Sequence, residues 1–586
     1  MWYNSTGDNM RVTSSKSKNA ESLYIIKNVY IDGKRTSKTV ERLGNIEKLK
    51  KELELDYDGV WKWARDYAKE LAIAEEKEEH QVLLKFSARK QIEKDDKKLF
   101  HGGYIFLQQI LKELRLDHVC NDISSRHNFK FNLTEILSTL ICTRIIHPSS
   151  KKASLEIAQD QLEKPDIEIQ HIYRALNVIA KEKETIESAM YHNSTNIIKR
   201  HTGVLYFDCT NYFFETDVAE GLKQYGRSKE NKPNPIVQMG LFLDGNGIPL
   251  SFCINPGNSN EQPSLIPLES RMIKDFEISK CVVCTDAGVA SKGNRLFNTI
   301  GQRSYIVTQS IKVLKKHLKE WALDETGWYY HDKFGNVHKD ICLSDLDENV
   351  EQIFQRIYYK ERWIIEDGFE QRLVVSYSPK YRAFQEKIRD GQIERAEAMI
   401  KAKDNRKGKN QNDPARFVIH EKVTKDGEVA EESWFSLDEN KINEEAKYDG
   451  FYAVCTTLED DVAEIIKINR RRWEIEESFR IMKSEFKSRP VYLQRDERII
   501  AHFLTCFLAL LVYRLLEQKL EEKYTVHEII STLRKMNFLH FKGDGYIPTY
   551  TRTDLTDDLH AIFGERTDTE IVSEKKMKKI LKDIKI

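Results

Sequence analysis

Two aspartates each follow a run of strand-forming residues. Asp208 ends the run GVLYFD, and Asp286 ends the run CVVCTD. An acidic side chain at the end of a strand meets the edge of the sheet, so both aspartates can point into one cleft. Oxygen ligands are those that Mg²⁺ prefers, and two such ions about 3.5–4 Å apart activate a water or sugar hydroxyl for phosphoryl transfer. The two strand ends therefore indicate a candidate metal site.

A third carboxylate is needed to complete such a site. Glu476 is the best placed, because it lies on a predicted helix that can pack on the sheet. Glu215, Asp217 and Glu261 are near enough in sequence to Asp208 or Asp286 to be alternative ligands. An aspartate at a strand end is more often a turn residue or a helix cap, so each position taken alone is weak evidence.

The segment INRRRWEIEESFRIMK, residues 468–483, predicts one helix. Arg472, Glu476, Phe479 and Lys483 fall at i, i+4, i+7 and i+11 and share one face. An apolar stripe runs beside them and consists of Ile468, Ile475, Phe479, Met482 and Phe486. The charged edge could place two cations against phosphates beside the metal site. The alternative is an ordinary amphipathic helix with charge pairs worth about 0.2–0.5 kcal/mol each.

The overall charge is balanced, with 93 Lys+Arg against 93 Asp+Glu and a pI near 7.2. No global field attracts a polyanion, so a nucleic-acid surface must come from local segregation of charge. Residues 467–489 show such segregation, with eight Lys or Arg against four Glu.

The nine cysteines form no paired framework, which suits a reducing cytosol. Cys281 and Cys284 form a CxxC inside a predicted strand, and we interpret both as core thiols. The apolar run from Phe503 to Leu516 is shorter than the ~20 residues of a membrane span and contains Arg514. We expect a cytoplasmic protein without a membrane partner.

At 586 residues the chain exceeds the ~250–300 at which single cores stop growing, so several domains are expected. Residues 22–43 predict a hairpin around Asp32-Gly33. The predicted fold class is α/β, with a mixed-sheet core and a β-rich insertion, preceded by a small hairpin module and an all-helical domain. The predicted domains are an N-terminal hairpin and charged helical module (1–98), a helical DNA-binding domain (99–200), the first part of a catalytic core (201–309), a β-rich insertion (310–450), the second part of the core with the Glu476 helix (451–497) and a C-terminal helical region (498–586).

The chain resembles bacterial insertion-sequence transposases of the DDE type, in the branch with the signature Tyr-x2-Arg-x3-Glu-x6-Lys. Arg472, Glu476 and Lys483 fit that spacing, and the texts YFDCT, CTDAG, YGRSK, GNSNE and LGN also match. The similarity extends over nearly the whole chain. One position departs from the signature, because Asn469 stands where the family has Tyr; its amide could still hydrogen-bond a phosphate but supplies no aromatic ring.

The resemblance implies a ribonuclease H-like core in which Asp208, Asp286 and Glu476 bind Mg²⁺, with Mn²⁺ able to substitute. It implies DNA partners, namely the terminal inverted repeats of an element and its target, and a homodimer in the synaptic complex. Relatives nick the element ends, form hairpins and transfer strands into target DNA. Arg472 and Lys483, with Asn469 and Arg471 beside them, are the implied DNA contacts. The resemblance also implies that a Trp of the insertion can stack on a flipped base.

Three other functions remain as alternatives. A ribonuclease H-like nuclease would cut DNA without joining it, and an inactive descendant would bind DNA without cutting it. A glycosidase could use two carboxylates, but it would leave the Arg and Lys edge of the helix unexplained.

Overall fold

The computed structural model describes residues 10–17, 20–31, 34–77, 88–89, 91–366, 368–404, 406, 408, 412–423 and 432–586. The chain forms two compact units, Met1–Lys94 and Asp95–Ile586. The division lies close to the predicted boundary at residue 98.

The N-terminal unit is a three-stranded antiparallel sheet followed by two helices. Its elements are β1 (Met10–Ser17), β2 (Ala20–Ile31), β3 (Lys34–Asn45), α1 (Ile46–Leu53) and α2 (Tyr57–Lys77). The sheet order is β1-β2-β3. The Asn45 side chain accepts from the backbone N–H of Glu47 and so caps α1. β2 and β3 are the strands of the predicted hairpin, and its turn at Asp32-Gly33 lies outside the described residues.

The large unit begins with a short strand and six helices. They are β4 (Leu99–His101), α3 (Tyr104–Glu113), α4 (Leu116–Arg126), α5 (Leu133–Ile146), α6 (Lys151–Ala158), α7 (Ile169–Lys181) and α8 (Lys183–Ser194). Of these, α3, α5 and α7 pack against α17 (Asp496–Lys519), which is buried along most of its length. By length and composition α17 is the one helix among the described residues that could cross a membrane, and it lies inside the protein.

A ten-stranded mixed sheet forms the centre of the large unit. Its first half consists of β5 (Val204–Phe213), β6 (Ile236–Asp244), β7 (Pro249–Pro256), β8 (Lys280–Thr285) and β9 (Gln302–Thr308), with α9 (Leu265–Asp275) and α10 (Lys292–Phe297) in the connections. These strands lie in the order β7-β6-β5-β8-β9. β5, β6 and β7 are antiparallel neighbours, whereas β5, β8 and β9 run parallel. This arrangement confirms the predicted ribonuclease H-like core.

The second half of the sheet comes from later in the chain. Its elements, with their neighbours, are α11 (Lys316–Leu323), β10 (Trp328–His331), β11 (Val337–Ile341), α12 (Glu351–Phe354), β12 (Tyr358–Glu366), β13 (Phe369–Tyr377), α13 (Pro379–Lys401), β14 (Val418–Val423), β15 (Glu432–Leu437), α14 (Glu439–Ala446) and β16 (Phe451–Thr456). The order continues from β9 as β16-β13-β12-β10-β11, while β14 and β15 pair separately. Most strands of the region 310–450 therefore extend the main sheet.

The remaining elements follow β16. They are α15 (Val462–Arg470), α16 (Trp473–Arg480), a π-helical turn (Ile481–Glu485), α17, α18 (Val526–Lys535), β17 (Asn537–Phe541), β18 (Gly545–Pro548), α19 (Asp554–Phe563) and α20 (Glu574–Ile584). β17 pairs with both β18 and β4. Strands from before and after the main sheet thus form one small sheet, and the helices of the two regions pack into one core.

A buried carboxyl lies on α9, in the core beneath β5 and β8. Glu269 is fully buried, and Asn298 Nδ2 donates to its Oε2 at 3.0 Å. Its Oε1 has no hydrogen-bond partner within the described residues. Burial raises the pKa of Glu269 to about 7. Because the folded pKa lies above the unfolded value, the protonated form stabilises the fold at low pH, and that stabilisation is lost as the pH rises through about 7.

We expect Glu269→Gln to raise the melting temperature at pH 8 and to leave it unchanged at pH 5. The amide keeps an acceptor for Asn298 and removes a buried charge, whose cost at high pH is on the order of 3 kcal/mol. Thermal unfolding of wild type and variant across this pH range measures the effect, with Glu394→Gln on the exposed surface of α13 as control. A difference in melting temperature that does not depend on pH would contradict the assignment.

Candidate active site

The two aspartates lie on adjacent parallel strands. The parallel pairing of β5 with β8 ends at Phe207 and Thr285, and Asp208 and Asp286 are the next residues on the two strands. The expectation that Asp208 ends its strand is wrong, since it is the fifth of ten residues in β5. β5 continues because its antiparallel pairing with β6 runs on to Phe213. The first aspartate therefore lies where the parallel neighbour stops.

Asp208 is a buried carboxyl beside a second carboxyl. Burial, together with the nearby charge of Asp286, raises the pKa of Asp208 to about 6. Lys229, Arg472 and the backbone N–H of Cys209, which donates to Asp208 Oδ1 at 2.7 Å, act in the opposite direction. Two neighbouring carboxyls, one of them buried, are a donor set that a divalent cation would stabilise. The residues present therefore fit a metal ion.

Lys229 and Glu261 are charged neighbours of Asp208. Lys229 Nζ donates to the carbonyl of Cys209 at 2.5 Å and lies 3.1 Å from Glu261 Oε1. Burial alone would lower the pKa of Lys229, but the charges of Asp208 and Glu261 outweigh it and raise that pKa. In the sequence these residues are only the last letters of YGRSK and GNSNE, with Glu261 as an alternative ligand, and nothing in either segment predicts their pairing.

The predicted single helix over 468–483 is wrong, because the chain forms two helices there. α15 ends at Arg470 and α16 begins at Trp473. Between them the backbone bonds tighten from i→i−4 to i→i−3, as in the bond from Arg472 N–H to the carbonyl of Asn469. The apolar stripe is nevertheless buried, apart from partly exposed Ile468. Arg472 Nη2 remains 3.8 Å from Glu476 Oε1.

Asp208, Glu476 and Lys483 line one cleft of about 340 Å³. Lys483 Nζ donates to Thr210 Oγ1 at 2.7 Å and lies 3.4 Å from Glu230 Oε1. Burial lowers the pKa of Lys483 to about 8, the charge of Lys229 contributes, and Asp208 opposes the shift. The cleft thus holds acidic and basic side chains together, and Glu230 compensates the cations within it.

The three carboxylates are not gathered into a closed cluster. Within the described ranges, no group of three or more His, Cys, Asp or Glu side chains is arranged to hold a metal ion. Asp208 and Asp286 form a pair, whereas the Glu476 side chain is 66% exposed on the helix across the cleft. Glu215 and Asp217, the other alternative ligands, are exposed in the segment after β5.

Arg472 has a free donor close to the aspartates. Its Nη1 is buried without a hydrogen-bond partner in the described part of the chain. The charge of Arg472 lowers the pKa of Asp208, whereas the charge of Asp286 raises it. A guanidinium group in this position can donate to a phosphate oxygen beside the carboxylates.

Asn469 faces the interior. It is buried, its Nδ2 donates to the Tyr452 hydroxyl at 3.1 Å, and Cys284 Sγ approaches its Oδ1 at 3.7 Å. The Tyr452 hydroxyl also lies 2.7 Å from Thr308 Oγ1. Arg471, by contrast, is exposed and lies 3.8 Å from Glu474. Tyr452, whose hydroxyl bonds the residue at the position of the family's Tyr, was not predicted from the sequence.

Comparison with known proteins connects the Glu476 region to transposases. A family model described as Transposase DDE domain matches residues 379–512. The match contains Arg472, Glu476 and Lys483 and lies outside Asp208 and Asp286. It supports a transposase of the DDE class.

No curated protein matches the chain. Among solved structures, the "Cryo-EM structure of piggyBac transposase synaptic complex with hairpin DNA (SNHP)" is similar, with a TM-score of 0.35 and 6% identity. The similarity covers 83% of this chain and 85% of that chain. At this TM-score it adds nothing to the argument.

We expect Asn469→Tyr to lower the melting temperature, because the site is buried against the Tyr452 hydroxyl and overpacking typically costs about 1–3 kcal/mol. Thermal unfolding measures the effect. The double variant Asn469→Tyr, Tyr452→Ala frees space and should recover part of the loss. An unchanged melting temperature for Asn469→Tyr would show that the site is roomier than these contacts indicate.

Proposed function

We propose that the protein is a transposase that cleaves DNA at the ends of a mobile element and transfers those ends into target DNA, by way of hairpin ends. The observation that carries the proposal is the position of Asp208 and Asp286, side by side where β5 and β8 stop pairing. The match of a transposase domain to the region of Glu476 supports it independently.

The proposed metal ligands are Asp208, Asp286 and Glu476. Bound Mg²⁺, for which Mn²⁺ can substitute, would supply activation of the attacking oxygen and stabilisation of the leaving oxygen. The chain's own residues prepare the site. Lys229 compensates the charge of Asp208, and movement of the exposed Glu476 side chain toward the aspartate pair would complete the ligand set.

The proposed phosphate contacts are Arg472 and Lys483. Lys483 lines the cleft, and Arg472 has a buried Nη1 without a hydrogen-bond partner among the described residues. Arg471 is exposed next to them and fits a contact to more distant backbone. The amide of Asn469 is buried, so Asn469 is proposed to act indirectly, by supporting the DNA-binding surface through its hydrogen bond to Tyr452. Of the Trp residues in 310–450, Trp363 and Trp434 are exposed and are the candidates for stacking on a flipped base.

The proposal also includes a homodimer in the synaptic complex, DNA ends and target DNA as partners, and a cytoplasmic location. They rest on the resemblance to insertion-sequence transposases.

We expect Asp208→Asn, Asp286→Asn and Glu476→Gln each to lower Mg²⁺-dependent DNA cleavage by about a thousandfold or more. Each change removes a proposed metal ligand, and a metal site supplies several kcal/mol of transition-state stabilisation. DNA binding measured in parallel should remain. Cleavage of a supercoiled plasmid carrying the DNA that flanks the gene provides the measurement.

Asp217→Asn and Glu477→Gln are matched controls, since they make the same chemical changes at an exposed loop position and at the neighbouring helix residue. Near-normal cleavage by any of the three site variants removes that residue from the site. Adding a target plasmid to the wild-type reaction separates transposase from nuclease, because cleaved ends that never become joined to target would refute strand transfer.

We expect Arg472→Ala and Lys483→Ala to weaken DNA binding about tenfold and to reduce the salt dependence of the affinity by about one unit per lost phosphate contact. Binding across a salt series measures both. Lys467→Ala is the control, because Lys467 is exposed on α15 and pairs with Glu464. If Arg472 and Lys483 only form surface ion pairs, each change will cost about 0.5 kcal/mol of stability and will leave binding and cleavage intact.

A further inference from the structure

The two faces of the N-terminal sheet differ in chemistry. Cross-strand partners in an antiparallel sheet share a face, so the register of β1, β2 and β3 assigns each paired residue to one side. The rows on one face are Val12–Ile25–Glu41 and Ser14–Leu23–Gly44, with Met10–Lys27–Lys38 at the end. This face is covered, because Leu23 and Ile25 are fully buried against residues of α1 and α2.

The other face is open and carries a different set of side chains. Its rows are Arg11–Ile26–Thr39, Thr13–Tyr24–Arg42 and Ser15–Ser22–Asn45. Arg11 and Arg42 are exposed, and Arg42 lies over the Tyr24 ring at 5.8 Å from its centre. Neither arginine forms an ion pair with another described residue. None of these three rows contains a carboxylate.

The carboxylates of these strands lie on the covered face. Glu21 accepts from the Tyr57 hydroxyl at 3.3 Å and pairs with Lys16, and Glu41 accepts from the Tyr67 hydroxyl at 3.4 Å. Helix α2 thus binds both acidic groups on the side away from the open face. The open face carries two guanidinium groups without an ion-pair partner among the described residues, several hydroxyls and one amphipathic ring, in a chain whose overall charge is zero.

This surface has the chemistry of a DNA groove reader. Its strands lie about 4.8 Å apart, and the major groove, about 12 Å wide, admits a two-stranded β-ribbon. Arginine donates in bidentate fashion to guanine, hydroxyls of Ser and Thr bond several bases, and apolar groups contact the thymine methyl. Sheets are used in this way by known DNA-binding proteins.

We propose that the open face of β1, β2 and β3 binds double-stranded DNA and reads base edges in the major groove, with Arg11 and Arg42 as its principal contacts. Tyr24 orients Arg42, and the hydroxyls of Thr13, Ser15 and Ser22 contact bases or phosphates beside them. This proposal rests on the proposed function in one respect, namely that the DNA would be the end of the mobile element.

The test uses the full-length protein and a mixed-sequence DNA duplex of about three helical turns. We expect Arg11→Ala, Arg42→Ala to weaken binding about ten- to hundredfold and to reduce the salt slope by about one unit for each lost phosphate contact. Arg65→Ala, Lys69→Ala is the matched control, because both residues are exposed on α2 of the same unit. Unchanged binding of the sheet variant, or an equal loss in the control, would overturn the proposal.

Selection from a randomised duplex library tests the base reading. Wild type should enrich a short sequence, and the sheet variant should lose that preference. The variant Arg11→Lys, Arg42→Lys keeps the charge but loses the bidentate geometry, so it should keep the salt slope and lose the enrichment. A library from which wild type enriches nothing, or tighter binding to duplex RNA, would also overturn the proposal.

The outcomes separate this proposal from the proposed function. DNA selection that depends on Arg11 and Arg42, in a protein that never cleaves DNA, would support the sheet surface and refute the transposase. Cleavage that persists while the sheet variants select and bind DNA like wild type would refute the sheet surface alone.

Discussion

The juxtaposition of Asp208 and Asp286 is the constraint on which the site depends. The parallel pairing of β5 and β8 fixes the positions of the two residues side by side. Burial and the charge of Asp286 raise the pKa of Asp208, and Lys229 and Arg472 act against that rise. The basic residues around the cleft are therefore first a response to the carboxylates, and they are also available to a phosphate backbone.

The cations of this cleft are only partly neutralised by the protein's own carboxylates. Glu230 lies 3.4 Å from Lys483, and Glu261 lies 3.1 Å from Lys229, so part of the positive charge is already neutralised inside the protein. Arg472 Nη1 has no hydrogen-bond partner in the described part of the chain. A chain without net charge can thus have a local binding site for an anionic polymer, because the electrostatic field at the site is set by the charges within a few ångströms of it. The open face of the N-terminal sheet likewise carries local positive charge, because the carboxylates of its strands lie on the opposite face.

Local patterns in the sequence were sufficient for the strands that carry the aspartates, because the runs GVLYFD and CVVCTD are rich in strand-forming residues and coincide with β5 and β8. They were not sufficient for the extent of β5, since its length is set by pairing with β6, a partner distant in sequence. The break at Arg471 and Arg472 also escaped periodicity, because the helical spacing of apolar residues continues across it. The pairing of Lys229 with Glu261 and the entry of β10–β13 into the main sheet are tertiary outcomes that no local pattern encodes.

The central claim is that Asp208 and Asp286 form one metal site with Glu476. Anomalous diffraction from crystals of the protein with Mn²⁺ tests it most directly, because the signal locates the ion without reference to activity. The account predicts an anomalous peak coordinated by both Asp208 and Asp286, with the Glu476 carboxylate drawn toward it. Mn²⁺ bound elsewhere, or no peak between these aspartates under conditions in which the protein cleaves DNA, would contradict it.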